Sequence, residues 1–155
     1  MEGAAVPPGE QQVVVLDLGG EAYGIEIGRV EEIIRMQPIT RIPNGPAFIE
    51  GVTSLRGRVI PVLDLRKRFG LPASEPTRRS RIVVGELGEH TVGLVVDGVS
   101  EVLALPAGAV EPPSTLVMSG DSAFLRGVAR LDAQLILLLD PSRLLTRAEQ
   151  DDLAA

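Results

Sequence analysis

The sequence predicts a mainly β protein made of two similar barrels of about five strands each. Three observations carry that expectation. About ten short runs rich in Val, Ile and Leu are separated by turns containing Gly, Pro or charged residues. No strand is followed by a long helix, which argues against a doubly wound parallel sheet. The chain also repeats itself. Gly24–Ile33 is echoed 69 residues later by Gly93–Val102, with Gly, Val and Glu recurring in place. Gly51, Val52, Leu55, Ile60, Leu63 and Asp64 recur 76 residues later as Gly127, Val128, Leu131, Ile136, Leu139 and Asp140. Two matches in one order point to a duplication.

The elements follow in order. Gln12–Leu18 is β-branched and reads as a strand, Gly19-Gly20 as a hairpin turn, and Glu21–Ile27 as the return strand. Arg29–Ile34 is ambiguous, because Val30, Ile33 and Ile34 have helical spacing in too short a segment. Pro46 opens a helical turn through Ile49. Gly51–Leu55 and Arg58–Asp64 form a second strand pair, then a short helix over Leu65–Phe69 closed by Gly70 and Pro72. Residues 71–79 are a connector. Strands are expected at Arg81–Gly85, Thr91–Val96 and Val99–Leu105. Pro106–Asp121 is a long loop with one helical turn, and Leu125–Leu131 with Gln134–Asp140 is the closing hairpin. A helical turn follows at Pro141–Leu145, with a short helix near Arg147–Leu153. Asp64 and Asp140 each end a strand where a carboxylate can cap the next turn. Residues 12–145 make one domain of two intertwined barrels, and 1–11 and 150–155 are read as flexible tails.

Composition narrows the function. A net charge of −6 and 3% aromatic residues without tryptophan disfavour nucleic acid and anionic lipid as partners. The absence of cysteine removes disulfides, thiolate chemistry and Cys-based zinc sites, and suits a reducing cytoplasm. The N-terminus does not resemble a signal peptide, and no apolar run is long enough to span a bilayer.

The search for chemistry finds no catalytic constellation. His90 is the only histidine and sits at an expected turn; alone it cannot build a zinc site. Ser54 lies in a strand with no base assigned to it. Asp97 reads as a turn residue, and no phosphate-cradling loop is present. The clusters Arg66-Lys67-Arg68 and Arg78, Arg79, Arg81 read as solvated faces. Arg56-Gly57 becomes Asp132-Ala133 in the second repeat, so the arginine is not required by the barrel and is nominated for function. No cofactor, metal or catalytic residue is expected, and the chain reads as a binding module with a groove between its barrels.

The segments Glu21–Ile27, Val30–Ile33, Ile39–Pro43 and Pro46–Val52, then Leu55-Arg-Gly-Arg-Val-Ile-Pro-Val-Leu-Asp-Leu65 and Val92–Val102, resemble the CheW domain from about Gln12 to Leu145. The resemblance implies two side-by-side SH3-like five-stranded barrels and a non-enzymatic, cytoplasmic adaptor, peripheral to the inner membrane through receptor arrays. Such an adaptor couples the cytoplasmic tip of methyl-accepting chemoreceptors to the regulatory domain of the histidine kinase CheA. It implies a receptor-binding side at Ile27, Val30, Glu32, Ile33, Arg56, Val99 and Leu105, and a kinase-binding side near Ile42, Phe48 and Gly51. Ser54 departs from the asparagine usual before Leu-Arg-Gly, which leaves room for a specialised twitching or gliding pathway. A ligand-binding barrel and a fragment of a larger signalling protein are the other readings; the tails at both ends favour a self-standing chain.

Overall fold

Alternating burial along the β-branched runs makes them strands, and their turns set how they pair. In the computed structural model, which describes residues 10–43, 47–112 and 124–154, the order is β1 (Gln11–Leu18), β2 (Glu21–Glu26), β3 (Val30–Arg35), β4 (Ile49–Leu55), β5 (Arg58–Asp64) and helix α1 (Leu65–Arg68). Then come β6 (Arg81–Leu87), β7 (His90–Val96), β8 (Gly98–Leu105), β9 (Val110–Glu111), β10 (Leu125–Leu131), β11 (Gln134–Leu139) and helix α2 (Arg147–Ala154).

Two sheets result, ordered β3-β6-β7-β5-β4 and β8-β1-β2-β11-β10-β9. Under the sequence repeat, β3, β6, β7, β5 and β4 correspond to β8, β1, β2, β11 and β10. The sheets are therefore the same sheet built twice, with hairpins exchanged: β1–β2 of the first repeat completes the second barrel, and β6–β7 of the second completes the first. The registers agree residue by residue. Val62 pairs in parallel with Gly93, and Leu138 with Gly24. β4 has its register shift at Ile49/Gly51 and β10 at Leu125/Gly127. Each barrel is closed by the segment that leaves its edge strand. Thr40 and Val52 exchange two backbone hydrogen bonds of 2.8 Å, and Val110–Glu111 pairs with Val128 and Ala129.

Three cores follow from this layout. Leu55, Ile60, Ile82 and Val84 fill the first barrel, with Ile34 and Met36. Val13, Val15, Leu105, Ala129, Ile136 and Leu138 fill the second. The largest lies between them: Val14, Leu16, Leu18 and Ile25 of one sheet meet Leu63, Val83, Leu94 and Val96 of the other. The strand faces turned toward each other thus form an apolar seam of buried aliphatics, with a small cleft at its margin lined by Ile25, Val30, Val83, Leu87 and Leu94.

Several expectations change in detail. The ambiguous segment at Arg29–Ile34 is a 3-10 turn (Ile27–Arg29) followed by β3. A bulge at Glu31, the residue passed over between the Val30/Gly85 and Glu32/Val84 pairs, puts Val30 and Ile33 on one strand face. A bulged strand therefore imitates helical spacing. β9 lies inside the expected loop, too short to be read from pattern. The caps are present: Asp64 accepts from the Arg66 N–H at 2.9 Å and Asp140 from the Ser142 N–H at 3.0 Å. The stretch from 150, expected as a tail, continues α2 as far as Ala154. Residues 1–9 of the expected N-terminal tail, Pro46 of the expected helical turn, and 113–121 of the expected long loop lie outside the described residues.

Candidate functional site

The turn between β4 and β5 carries the clearest functional geometry. Arg56 has φ 52° and Gly57 φ 81°, and the equivalent Asp132 has φ 53°. Both repeats thus need a left-handed residue at this corner. Glycine, Asn and Asp accept that conformation with little cost, whereas arginine does not. Arg56 nevertheless occupies it, and its side chain is 76% exposed. Its guanidinium donates to Glu32 Oε1 at 3.0 Å, tying the β4–β5 corner to edge strand β3. Arg58 reaches Glu31 at 3.3 Å beside it. Gln37, just beyond β3, donates to Thr53 Oγ1 and the Ser54 carbonyl of β4. Glu32 and Arg56, both expected on the receptor-binding side, are thus in direct contact and form a charged rim where the first barrel closes.

The apolar members are distributed unevenly. Ile27, on the crossover between barrels, is 42% exposed and Ile33 is 38% exposed. Val30 and Val99 are partly buried against the seam. They are repeat-equivalent, one on each barrel's edge strand, in different sheets. Leu105 is fully buried inside the second barrel, so it packs the core and does not belong to a docking surface. Sequence reasoning missed Val102, half exposed and equivalent to Ile33, and Val59, the most exposed large aliphatic residue among those described. The repeat offset identifies Val102 once Ile33 is chosen, and strand alternation puts Val59 outside.

On the expected kinase side, Ile42 is exposed and Phe48 packs partly against the seam. Gly51 is buried: a Cβ there would stand 2.3 Å from the Thr40 carbonyl oxygen, so the glycine is required by the close bridge between residues 40 and 52. Phe48 lines a cleft with Ala47, Lys67, Arg68, Glu149 and Asp152. There Arg68 forms a bidentate pair with Glu149 at 2.8 and 2.9 Å. Glu149 also closes a capping box with Thr146 at the start of α2. Burial alone would raise the Glu149 carboxyl, but the Thr146 N–H, the Arg68 guanidinium and the Thr146 hydroxyl together hold it below the ordinary glutamate value.

The cluster Arg66-Lys67-Arg68 is not the solvated face its sequence suggests. Arg66 and Arg68 are only 17% and 18% exposed. Arg66 binds Asp97 at 2.6 Å and the Pro72 carbonyl at 2.9 Å, while Asp97 accepts from the Gly19 N–H. This knot joins α1, the connector, the β7–β8 crossover and the β1–β2 turn. Burial of a paired arginine, invisible in one-dimensional pattern, made the difference. Among the described residues no group of His, Asp and Glu side chains could hold a metal ion, and no helix is long and apolar enough to cross a membrane.

The chain is a pair of fused β-barrels with apolar cores, exposed aliphatics and a surface ion pair at a strained corner. The chain belongs to the CheW-like domain family, which matches residues 12–149. It is 37% identical over 139 residues to the chemotaxis protein CheW of Klebsiella aerogenes, covering 90% of this chain and 84% of that one. It is 34% identical over 145 residues to protein FrzA of Myxococcus xanthus, covering 91% and 89%. The crystal structure of the scaffolding protein TtCheW from Thermoanaerobacter tengcongensis superposes with a TM-score of 0.78 at 40% identity, covering 84% and 88%. The chain's role is that of an adaptor in chemotaxis, and its two barrels are SH3-like.

Proposed function

We propose that this chain is a non-enzymatic coupling protein that holds the cytoplasmic tip of a chemoreceptor on one surface and the regulatory domain of the kinase CheA on another. One observation carries the reading: Arg56 holds an unfavourable left-handed conformation, about three-quarters exposed, with its guanidinium aligned by Glu32. A corner that tolerates aspartate in the other repeat does not need arginine for folding. A guanidinium fork aligned by a carboxylate suits backbone or carboxylate groups at the tip of a helical hairpin. Exposed Ile27 and Ile33, with Val30 and Val99 at the seam margin, supply the apolar stripe against which a helix packs. Ile42 and Phe48 supply the kinase surface.

The test is titration of the purified chain against a receptor-tip fragment and against the CheA regulatory domain. Arg56→Ala and Ile27→Glu are expected to weaken receptor binding at least tenfold and leave kinase binding within twofold. Absence of binding to either partner by the folded chain would overturn the reading.

A further inference from the structure

A basic cleft on the outside of the first barrel has no part in that surface. It has a volume of about 610 Å3 and is lined by Arg35, Met36, Thr77, Arg78, Ser80 and Arg81. Arg35 of β3 and Arg81 of β6 are directly paired across the strands. Their neighbours Ile34 and Ile82, one step along, point into the barrel core, so both arginines point outward together. Like charges directly opposite destabilise a sheet. Among the described residues no carboxylate lies within ion-pair distance of Arg35, Arg78 or Arg81. Arg56, Arg58, Arg66, Lys67, Arg68, Arg79, Arg130 and Arg143 each have an acidic partner, and Arg29, Arg41, Arg126 and Arg147 have none among the described residues; what distinguishes Arg35, Arg78 and Arg81 is that they line one cleft together.

The cleft is also held in shape. Arg81 donates to the Arg78 and Ser80 carbonyl oxygens at 2.8 Å each. The hydroxyl of Ser80 accepts from the Thr77 N–H, and that of Thr77 from the Arg79 N–H. The hydroxyls are thereby used as acceptors within the turn, and the three guanidiniums are the cationic donors facing the cleft. Fixing a guanidinium beforehand lowers the entropy lost when it binds.

We propose that this cleft is a docking site for an acidic protein segment, whose carboxylates pair with Arg35, Arg78 and Arg81. Charge complementarity selects the occupant. Three separated guanidinium forks suit several carboxylates spaced along a chain. There is no glycine-rich loop of backbone N–H groups to cradle a single phosphate. The −6 net charge opposes the approach of every polyanion, so the occupant it tolerates is one short enough to lie within the local positive field of the cleft, which an extended nucleic acid or anionic bilayer exceeds. The site goes beyond the coupling surfaces above and does not depend on them.

The test is a 15N-detected titration of the full chain with blocked hexaglutamate, with hexalysine, inorganic phosphate and phosphatidylglycerol vesicles as parallel probes. Hexaglutamate is expected to give saturable shifts confined to residues 35–36 and 77–81, with affinity falling at least tenfold in Arg35→Gln/Arg81→Gln. It should stay within twofold in Arg41→Gln/Arg147→Gln, which has the same net charge, and in Arg56→Ala, which separates this site from the coupling surface. Arg35→Glu should abolish binding while raising the melting temperature by about 2 °C, since it replaces a like-charge pair with an opposite one. No saturable shift, equal losses in both double variants, equal potency of phosphate, or binding of vesicles without the peptide would each overturn the proposal.

Discussion

At the scale of single residues, exposure separates groups that serve folding from groups that serve a partner. Arg56 and Glu32 form an ion pair with one member largely in water, and such pairs contribute about 0–1 kcal/mol. Set against that is the left-handed backbone at Arg56, which costs an arginine about 1 kcal/mol more than a residue suited to it. Arg56→Asn is therefore expected to leave stability within about 1 kcal/mol of the wild type, or to raise it, while removing receptor coupling. Urea unfolding and receptor-tip titration on the same sample check both halves. Glu149 behaves oppositely. Its carboxylate caps α2 and binds Arg68, and its folded-state pKa lies below the ordinary value. Its stabilisation is fully present above the unfolded pKa and is lost as pH falls through the folded one. Glu149→Gln is expected to cost about 1 kcal/mol at neutral pH, and to flatten the acid-side decline of stability that the wild type shows. Unfolding measured between pH 3 and pH 7 reads both effects.

At the scale of elements, the two repeats use the same devices at the same places. Asp64 and Asp140 cap equivalent turns with nearly equal geometry, so Asp64→Ala and Asp140→Ala should each cost about 1 kcal/mol. A difference between them beyond about 1 kcal/mol would mean that the duplicated corners no longer play equal parts. The bulges at Glu31 and Ser100 are also equivalent and turn Val30 with Ile33, and Val99 with Val102, to the face beside the seam. Strand positions were legible from hydrophobic alternation because a half-buried strand shows a period of two. The β3 assignment was not, because an inserted residue breaks that period. The two-residue β9 is specified by pairing with Val128 and Ala129 rather than by its own sequence.

At the scale of the whole molecule, each barrel takes a hairpin from the other repeat, so the barrels should fold as one unit. Each barrel takes two strands from the other repeat, and the seam between them contains more of the buried core than either interior. Neither repeat alone should fold. Unfolding in urea should be a single transition with one midpoint, whether followed by circular dichroism or by the fluorescence of Tyr23, the only tyrosine, which packs at the seam. Two midpoints would show that the barrels open separately.

The sequence by itself determined the mainly β class, most strand positions, the duplication, the capping aspartates and the singling out of Arg56. All of these are written in local alternation, turn chemistry or the repeat offset, which act between residues close in the chain or aligned by duplication. Only the tertiary structure decided which repeat each hairpin completes, that the space between barrels is a core, that Leu105 and Gly51 are interior, and that Arg66 and Arg68 are buried in ion pairs while Arg35 and Arg81 face each other unpaired. Those outcomes depend on which strand faces meet across long separations, and two repeats of the same pattern leave the choice of partner to packing and register.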